Sequence, residues 1–337
     1  MTDMMLAGRM NYATKEFAVK QVPVPTPGAG EVRVQVKAAG VCLSDVHLIE
    51  GLLRPLYLPG DEVTLGHEVS GVVESLGDGV TDVAVGTRVI VQAGKEVDGK
   101  LLTLGVDYDG GWAEYLVVPA ETLVPIPDTM PFDQAAVIPD AVSTPWGAIA
   151  WTGQVKAAES VGVWGIGGLG AHGIQLLRFV GAAPIIAVDP VPAARQRAMD
   201  FGADLALDPN QADFDEQMAA ATGGTGLDVA IDFAGFAPVR KQALSCLHAG
   251  GRLILTGISG GPITVDSDAE FQYNRKQILG HYGSEPRHVP ELVKLVTLGR
   301  LNFSKSISNT FSLADAAKAV HDLETKAGNP IRLVLVP

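Results

Sequence analysis

The chain has 337 residues, 47% hydrophobic and 19% charged, which supplies apolar material for about two domains and excludes a disordered chain. Its formal net charge of −13 disfavours nucleic acid and anionic membrane surfaces, since an acidic chain repels phosphates, and no basic run offsets that charge. The two cysteines, Cys42 and Cys246, are too few for a disulfide framework and point to a reducing, cytoplasmic setting. No secretory signal is read in Met1–Asn11, and the nearly uncharged stretch Val161–Leu177 carries too many glycines, and His172, for a membrane span.

In chain order, the first part of the sequence reads as β-rich. Val32, Val34 and Val36 alternate with Glu31, Arg33, Gln35 and Lys37, the period of two expected of a half-buried strand. Pro23, Pro25, Pro27, Gly28 and Gly30 punctuate the approach to it. Short apolar runs follow at Val69–Val73 and Arg88–Val91, separated by the Gly77-Asp78-Gly79 turn, and together they predict a compact irregular barrel. From about Ser160 the pattern changes to short strands alternating with helix-length segments. Strands are predicted at Val161–Trp164, Pro184–Val188, Leu227–Phe233 and Arg252–Thr256, with helices to Val180, to Phe201-Gly202 and over Pro238–Leu247. Such alternation implies a parallel, doubly wound sheet. The closing segment Glu285–Pro337 carries helical stretches around Val289–Leu298 and Leu313–Leu323, then a strand at Ile331–Val336.

Between the first of these later strands and its helix lies Gly165-Ile166-Gly167-Gly168-Leu169-Gly170. In that position the first glycine permits a tight turn, the second lets the backbone approach a pyrophosphate, and the third lets helix and strand pack closely. Asp189 follows Gly170 by 19 residues and ends the next strand, where an acid binds the ribose hydroxyls of a dinucleotide. Its other reading is a cap on the helix beginning near Pro192. A carboxylate there accepts hydrogen bonds from a free 2′-hydroxyl and repels a 2′-phosphate, which predicts NAD. Arg195 is the nearest cation that would favour NADP, but it lies on the helix.

A second group of residues is Cys42-Leu43-Ser44-Asp45-Val46-His47, followed by Gly66-His67-Glu68. Singly, each has an ordinary explanation: a small buried hydrophobe, a hydrogen-bonded structural histidine, a solvated acid. In combination, with Gly110-Gly111-Trp112-Ala113-Glu114-Tyr115, the glycine run and the closing Gly328-Asn329-Pro330-Ile331-Arg332, the chain resembles the zinc-containing medium-chain dehydrogenase/reductase family along nearly its whole length. The resemblance implies an α/β fold: a Rossmann doubly wound parallel sheet, residues 143–282, and a β-rich GroES-like catalytic domain built from 1–142 and 283–337.

The resemblance further implies that Cys42 and His67 ligate a catalytic zinc. A second cysteine often supplies the third ligand in that family, and here Asp140 stands in its place, an acceptable oxygen ligand. Glu68 is a transient ligand when the substrate site is empty, so the choice between Glu68 and Asp140 stays open at this point. Asp45 is a partner for the second ring nitrogen of His67, or a cap on the following helix, and the two roles are compatible. The stretch Ala93–Asp107 contains none of the cysteines with which many relatives hold a structural zinc, so one metal per chain is expected. Ser44 would take the alcohol proton and pass it by way of the cofactor ribose to His47, whose kind titrates near neutrality. Thr144 would pack near the nicotinamide and Arg332 would reach the pyrophosphate, whereas Leu43 departs from the basic residue often found there.

These residues imply a zinc-dependent alcohol dehydrogenase using NAD on a small alcohol or carbonyl compound. The alternatives are a nicotinamide-dependent reductase of activated C=C bonds on the same fold and a non-catalytic dinucleotide-binding protein. Trp112, Trp146, Leu56 and Tyr57 are candidate walls of an apolar substrate pocket, and equally they read as ordinary core or interface residues. A homodimer or homotetramer is expected, with Ile263–Val265 in the region that contributes to such contacts.

Overall fold

The computed structural model describes residues 3–337. It divides into two compact units, the chain up to Ala141 together with Val289–Pro337, and Val142–His288. Among the described residues no helix is long and apolar enough to cross a membrane.

The first unit is built on the strand Glu31–Val41, whose burial alternates from Glu31 to Ala38 and then becomes continuous to Val41. The change in pattern follows from its neighbours. Val69–Leu76 pairs along nearly its whole length, Tyr115–Pro119 pairs with its first half, and Arg332–Val336 takes over that second flank from Ala39 to Val41. All three neighbours are antiparallel. The sheet runs on through Arg88–Val91 to Leu123–Pro125 on one side and to Ile307–Ser312 on the other. A smaller sheet of Glu16–Pro23, Met4–Asn11 and Glu62–Thr64 lies in the same unit, as does the hairpin Gly94–Val97 with Lys100–Thr103. That hairpin occupies the stretch Ala93–Asp107, and the buried Asp107 ties it to its surroundings by accepting hydrogen bonds from the backbone N–H groups of Thr103, Leu56 and Tyr57.

Trp112 sits at the centre of this core, fully buried, with its ring edge-on to Phe17 at 5.7 Å and its Nε1–H donating to the Gly40 carbonyl at 3.0 Å. Of its two readings, pocket wall or core, the core one fits this burial. A tryptophan packs as core when its polar edge finds a partner, and Gly40 supplies that partner.

The second unit holds a six-stranded sheet in the order Leu205–Leu207, Ile185–Val188, Val161–Trp164, Leu227–Asp232, Leu247–Leu255, Gln277–Gly280, every pair parallel. This is the doubly wound order, and the strands Val161–Trp164 and Ile185–Val188 are fully buried apolar runs, as a parallel sheet covered on both faces requires. The two strands at its edges, Leu205–Leu207 and Gln277–Gly280, were not legible in the sequence, being short and partly exposed. Ile263–Val265 forms no strand; both ends of that segment are exposed, and the sheet edge is Gln277–Gly280.

Replacing Trp112 by Phe keeps most of the apolar volume and deletes the bond to Gly40. The expected loss is about 1–2 kcal/mol in chemical denaturation, and a loss below roughly 0.3 kcal/mol would show that the bond carries no weight.

Candidate active site

In an antiparallel sheet, the end of one strand lies beside the beginnings of its neighbours. The central strand ends at Val41 and hands over to Cys42, which precedes the helix Leu43–Glu50. His67 and Glu68 immediately precede the neighbour that starts at Val69, and Arg332 opens the neighbour on the other side. Residues far apart in sequence are thereby brought to one buried spot. Asp140 joins them from Ile138–Val142, a single π-helical turn, a local irregularity common at functional positions.

Ligand atoms of Cys42, His67, Glu68 and Asp140 all lie within 4.8 Å of one another. Asp140 Oδ2 is 3.4 Å from Cys42 Sγ and 3.5 Å from His67 Nε2. On its other side, His67 Nδ1 lies 3.4 Å from Asp45 Oδ1. Asp45 is fully buried, and its second oxygen accepts from the Cys42 backbone N–H at 2.9 Å, so the carboxylate serves both the helix entry and the imidazole. Ser44 Oγ stands 3.3 Å from His67 Nε2. His47, half-buried, follows Ser44 by three residues on the same helix, which puts the two on one face.

Glu68 is held differently from Asp140. Its Oε1 accepts from Arg332 Nη2 at 2.9 Å and from the Ala141 N–H at 3.2 Å, while Oε2 accepts no hydrogen bond. Arg332, 3% exposed, also approaches Asp140 at 3.5 Å and Cys42 Sγ at 3.6 Å. Its guanidinium is thus part of the cluster, a placement that the sequence did not disclose.

Burial, opposed by Arg332 and reinforced by Asp140, pushes the Glu68 carboxyl up to about 8. Burial works against a charged His67, yet Asp45, Asp140 and Cys42 outweigh it and raise the imidazole well above its usual value. The Glu68 shift is first an effect of burial that Arg332 does not fully offset, and the His67 shift reflects the acidic groups around the imidazole. A thiol, an imidazole nitrogen aimed inward and two carboxylates, one with an unpartnered oxygen, fit a divalent cation of borderline softness such as zinc.

The second unit carries the glycine run. The helix Gly168–Val180 begins at its middle, with Gly167 as N-cap. A Cβ on Gly170 would lie 1.9 Å from the Gly165 carbonyl oxygen, whereas one on Gly167 would meet nothing within 4 Å. Gly170 packs the turn and Gly167 leaves an open cradle at a helix N-terminus, as a pyrophosphate requires. Leu169 follows in the first helical turn, half-buried. Asp189 ends its strand with both oxygens engaged: Oδ2 accepts from the Ile166 N–H at 2.8 Å and Oδ1 from the Val191 N–H at 2.9 Å. It therefore braces the glycine turn and the entry to the helix Pro192–Asp200 together. Arg195 folds back beneath that entry, and Arg197 Nη1 donates to the Ile166 carbonyl at 2.8 Å. Thr144 is buried in Ser143–Trp146, and its carbonyl accepts from His281 Nε2 at 3.0 Å. The role of His281 in holding this segment carried no signal in the sequence.

Residues 28–128 match the alcohol dehydrogenase GroES-like domain and residues 168–297 the zinc-binding dehydrogenase domain. The chain is 29% identical to a sorbitol dehydrogenase of Halalkalibacterium halodurans, over 98% of each chain, and 30% identical to an L-threonine 3-dehydrogenase of Pyrococcus horikoshii, over 94% of each. An alcohol dehydrogenase of E. coli CFT073 solved with NADH superposes with a TM-score of 0.90 at 27% identity, covering 99% of each chain.

The raised Glu68 carboxyl has a consequence for the metal-free protein. Glu68 has a higher pKa folded, about 8, than its ordinary 4.5, so the folded chain holds the extra proton between these values. Stability from this group is present at low pH and falls as pH rises through the window. Thermal melts of chelated protein should therefore decline from about pH 5 to about pH 8 more steeply than those of Glu68→Gln; equal slopes would contradict the assignment.

Proposed function

Because the chain belongs to the zinc-containing medium-chain dehydrogenase/reductase family, we propose that Cys42, His67 and Asp140 hold the catalytic zinc of an NAD-dependent alcohol dehydrogenase. The observation that carries the proposal is the position of Asp140 Oδ2, at nearly equal distance from Cys42 Sγ and His67 Nε2. A thiolate and a carboxylate balance the two charges of the metal while His67 stays neutral. Glu68, taken up by Arg332 and the Ala141 N–H, stands beside this set as the alternate carboxylate. Bound zinc would supply Lewis-acid polarisation of an alcohol or carbonyl oxygen, and a bound nicotinamide would supply the hydride acceptor or donor.

The chain's own side chains do the rest. Asp45 fixes the ring of His67 so that Nε2 faces the cluster and Nδ1 faces the carboxylate. Ser44 Oγ, beside Nε2, is the first acceptor for the proton lost by an alcohol, and His47 on the same helix face delivers it towards solvent. Gly165, Gly167, Gly168, Leu169 and Gly170 receive the pyrophosphate and Asp189 the adenosine ribose, with Thr144 beside the nicotinamide. Arg332, buried beside Glu68, is the counter-ion of that carboxylate, and its reach to the pyrophosphate stands only as what the resemblance implies.

The substrate is a small alcohol or its carbonyl product. With Trp112 assigned to the core, the preference for apolar over polyol substrates rests on Trp146, Leu56 and Tyr57, and a panel in which sorbitol outperforms alkyl and aryl alcohols would overturn it. Two free thiols support a reducing, cytoplasmic location. The open edge strand Gln277–Gly280 supports a homodimer or homotetramer, which light scattering on the purified protein decides.

Purified protein should contain one zinc per chain and reduce NAD with alcohols until chelated. Ser44→Ala should lower kcat by about 10²–10⁴-fold while zinc content and NADH affinity hold, since only the proton acceptor is lost. Asp45→Asn should weaken zinc retention by about 10–100-fold in competition with a chelator. Unchanged turnover in the first variant removes the relay, and unchanged retention in the second removes the imidazole partner.

A further inference from the structure

The dinucleotide cradle of the second unit contains a charge arrangement beyond the glycine run and Asp189. The strands Val161–Trp164, Ile185–Val188 and Leu205–Leu207 lie side by side and parallel, so Gly165, Asp189 and Asp208 share the carboxyl edge of the sheet, where such folds bind their ligands. Asp189 and Asp208 are tied as neighbours by the Asp189 N–H, which donates to the Leu207 carbonyl at 3.1 Å. Resting on the reading of this edge as the ribose site, we propose that Asp208 is the positioning residue that keeps the enzyme selective for NAD, by neutralising Arg195.

A 2′-phosphate brings negative charge and requires a cation with donors to spare. The helix Pro192–Asp200 offers two candidates next to Asp189. Arg197 is committed to the Ile166 carbonyl at 2.8 Å and supports the glycine turn. Arg195 is anchored through Nη1 to the carbonyls of Asp189 at 2.7 Å and Pro190 at 2.9 Å, which hold it at the ribose edge. Its charge is met by Asp208 Oδ2 at 3.1 Å, and both side chains are only 19% exposed. The other oxygen of Asp208 accepts from the Asn210 backbone N–H at 3.0 Å and from its side-chain amide at 3.3 Å, which aims Oδ2 at the guanidinium. The two aspartates and two arginines together carry no net charge. Without Asp208 the two carbonyls would still hold Arg195 in place, and its charge would be open to a phosphate.

Asp208→Asn tests this. The single oxygen of an asparagine is retained by the Asn210 turn, so its NH₂ group faces Arg195 and the ion pair is gone. Dissociation constants for NADH and NADPH, measured by calorimetry at low and physiological salt, should show NADPH binding about tenfold tighter than in the wild type and NADH changed by less than about twofold. The gain should shrink with salt and vanish in Asp208→Asn/Arg195→Gln. Asp208→Ser, whose hydroxyl can accept the same turn hydrogen bond, is the second variant should the first fold poorly. Unchanged NADPH affinity in whichever variant folds, or a gain that survives loss of Arg195, overturns the proposal. A wild-type chain that binds neither dinucleotide would remove the nucleotide-site reading itself, an outcome distinct from a wild type that binds NADH and a variant that gains nothing.

Discussion

The chemistry of the first unit depends on the antiparallel pairing of one strand with its two neighbours. Ala39 faces Val69 on one side and Leu335 on the other, so the exit of Glu31–Val41 meets the entries of both. Cys42, His67, Glu68 and Arg332 lie within a few residues of those three ends. A slip of one residue in either pairing would move the functional side chain to the opposite face, and the continuous burial from Ala38 to Val41 opposes any such slip. The fit at the junction leaves no margin: a Cβ on Gly40 would lie 1.9 Å from Glu68 Oε2, and the Gly40 N–H and carbonyl are held by Glu68 and Trp112. Trp112 is thus a core residue whose loss would be felt at the cluster.

Electrostatics follow from that convergence. Four acidic groups, Cys42, Asp45, Glu68 and Asp140, surround one imidazole and one guanidinium in a region from which water is largely excluded. Burying so much negative charge is unfavourable unless it is compensated, and a site lacking a cation responds by holding protons. The upward shifts of Glu68 and His67 are that response. A divalent ion held by the proposed ligands would supply the missing charge in place of both protons, so the same feature that penalises the metal-free state would favour metal binding. Arg332 would then matter as the counter-ion that lets Glu68 stand beside the proposed ligands as a carboxylate.

The parts of this arrangement that obey local rules were legible in the sequence. Alternation from Glu31 to Lys37 marked the central strand, the spacing of Gly165, Gly167 and Gly170 marked the nucleotide turn, and Cys42 with His67 was noticeable for its chemistry. What depends on register was not legible. Nothing near Arg332 in the sequence says that its strand lies antiparallel to Glu31–Val41 and directs its guanidinium at Glu68. The π-helical turn that presents Asp140 has no sequence signature, and Trp112 read equally as pocket wall or core because the close glycine contacts that enclose it are tertiary. Arg195 was read as a residue on a helix, whereas the direction of its side chain, back under the Asp189–Val191 turn, depends on how that helix enters the sheet.

The second unit shows the same economy in a different form, because its ligand-facing turn is braced from both sides. The Ile166 peptide sits between Gly165 and Gly167, and its N–H is taken by Asp189 and its carbonyl by Arg197. A glycine-rich loop is intrinsically mobile, and ordering it on binding would cost conformational entropy. Bracing Ile166 from both ends meets that cost within the folded protein, so affinity for a dinucleotide is not spent on it. Asp189 can do this and still bind a ribose, since each carboxylate oxygen accepts more than one hydrogen bond and each has only one backbone partner here. The residue proposed to recognise the cofactor is therefore also the residue that shapes the glycine turn, and a substitution there would disturb that turn together with the proposed ribose contact.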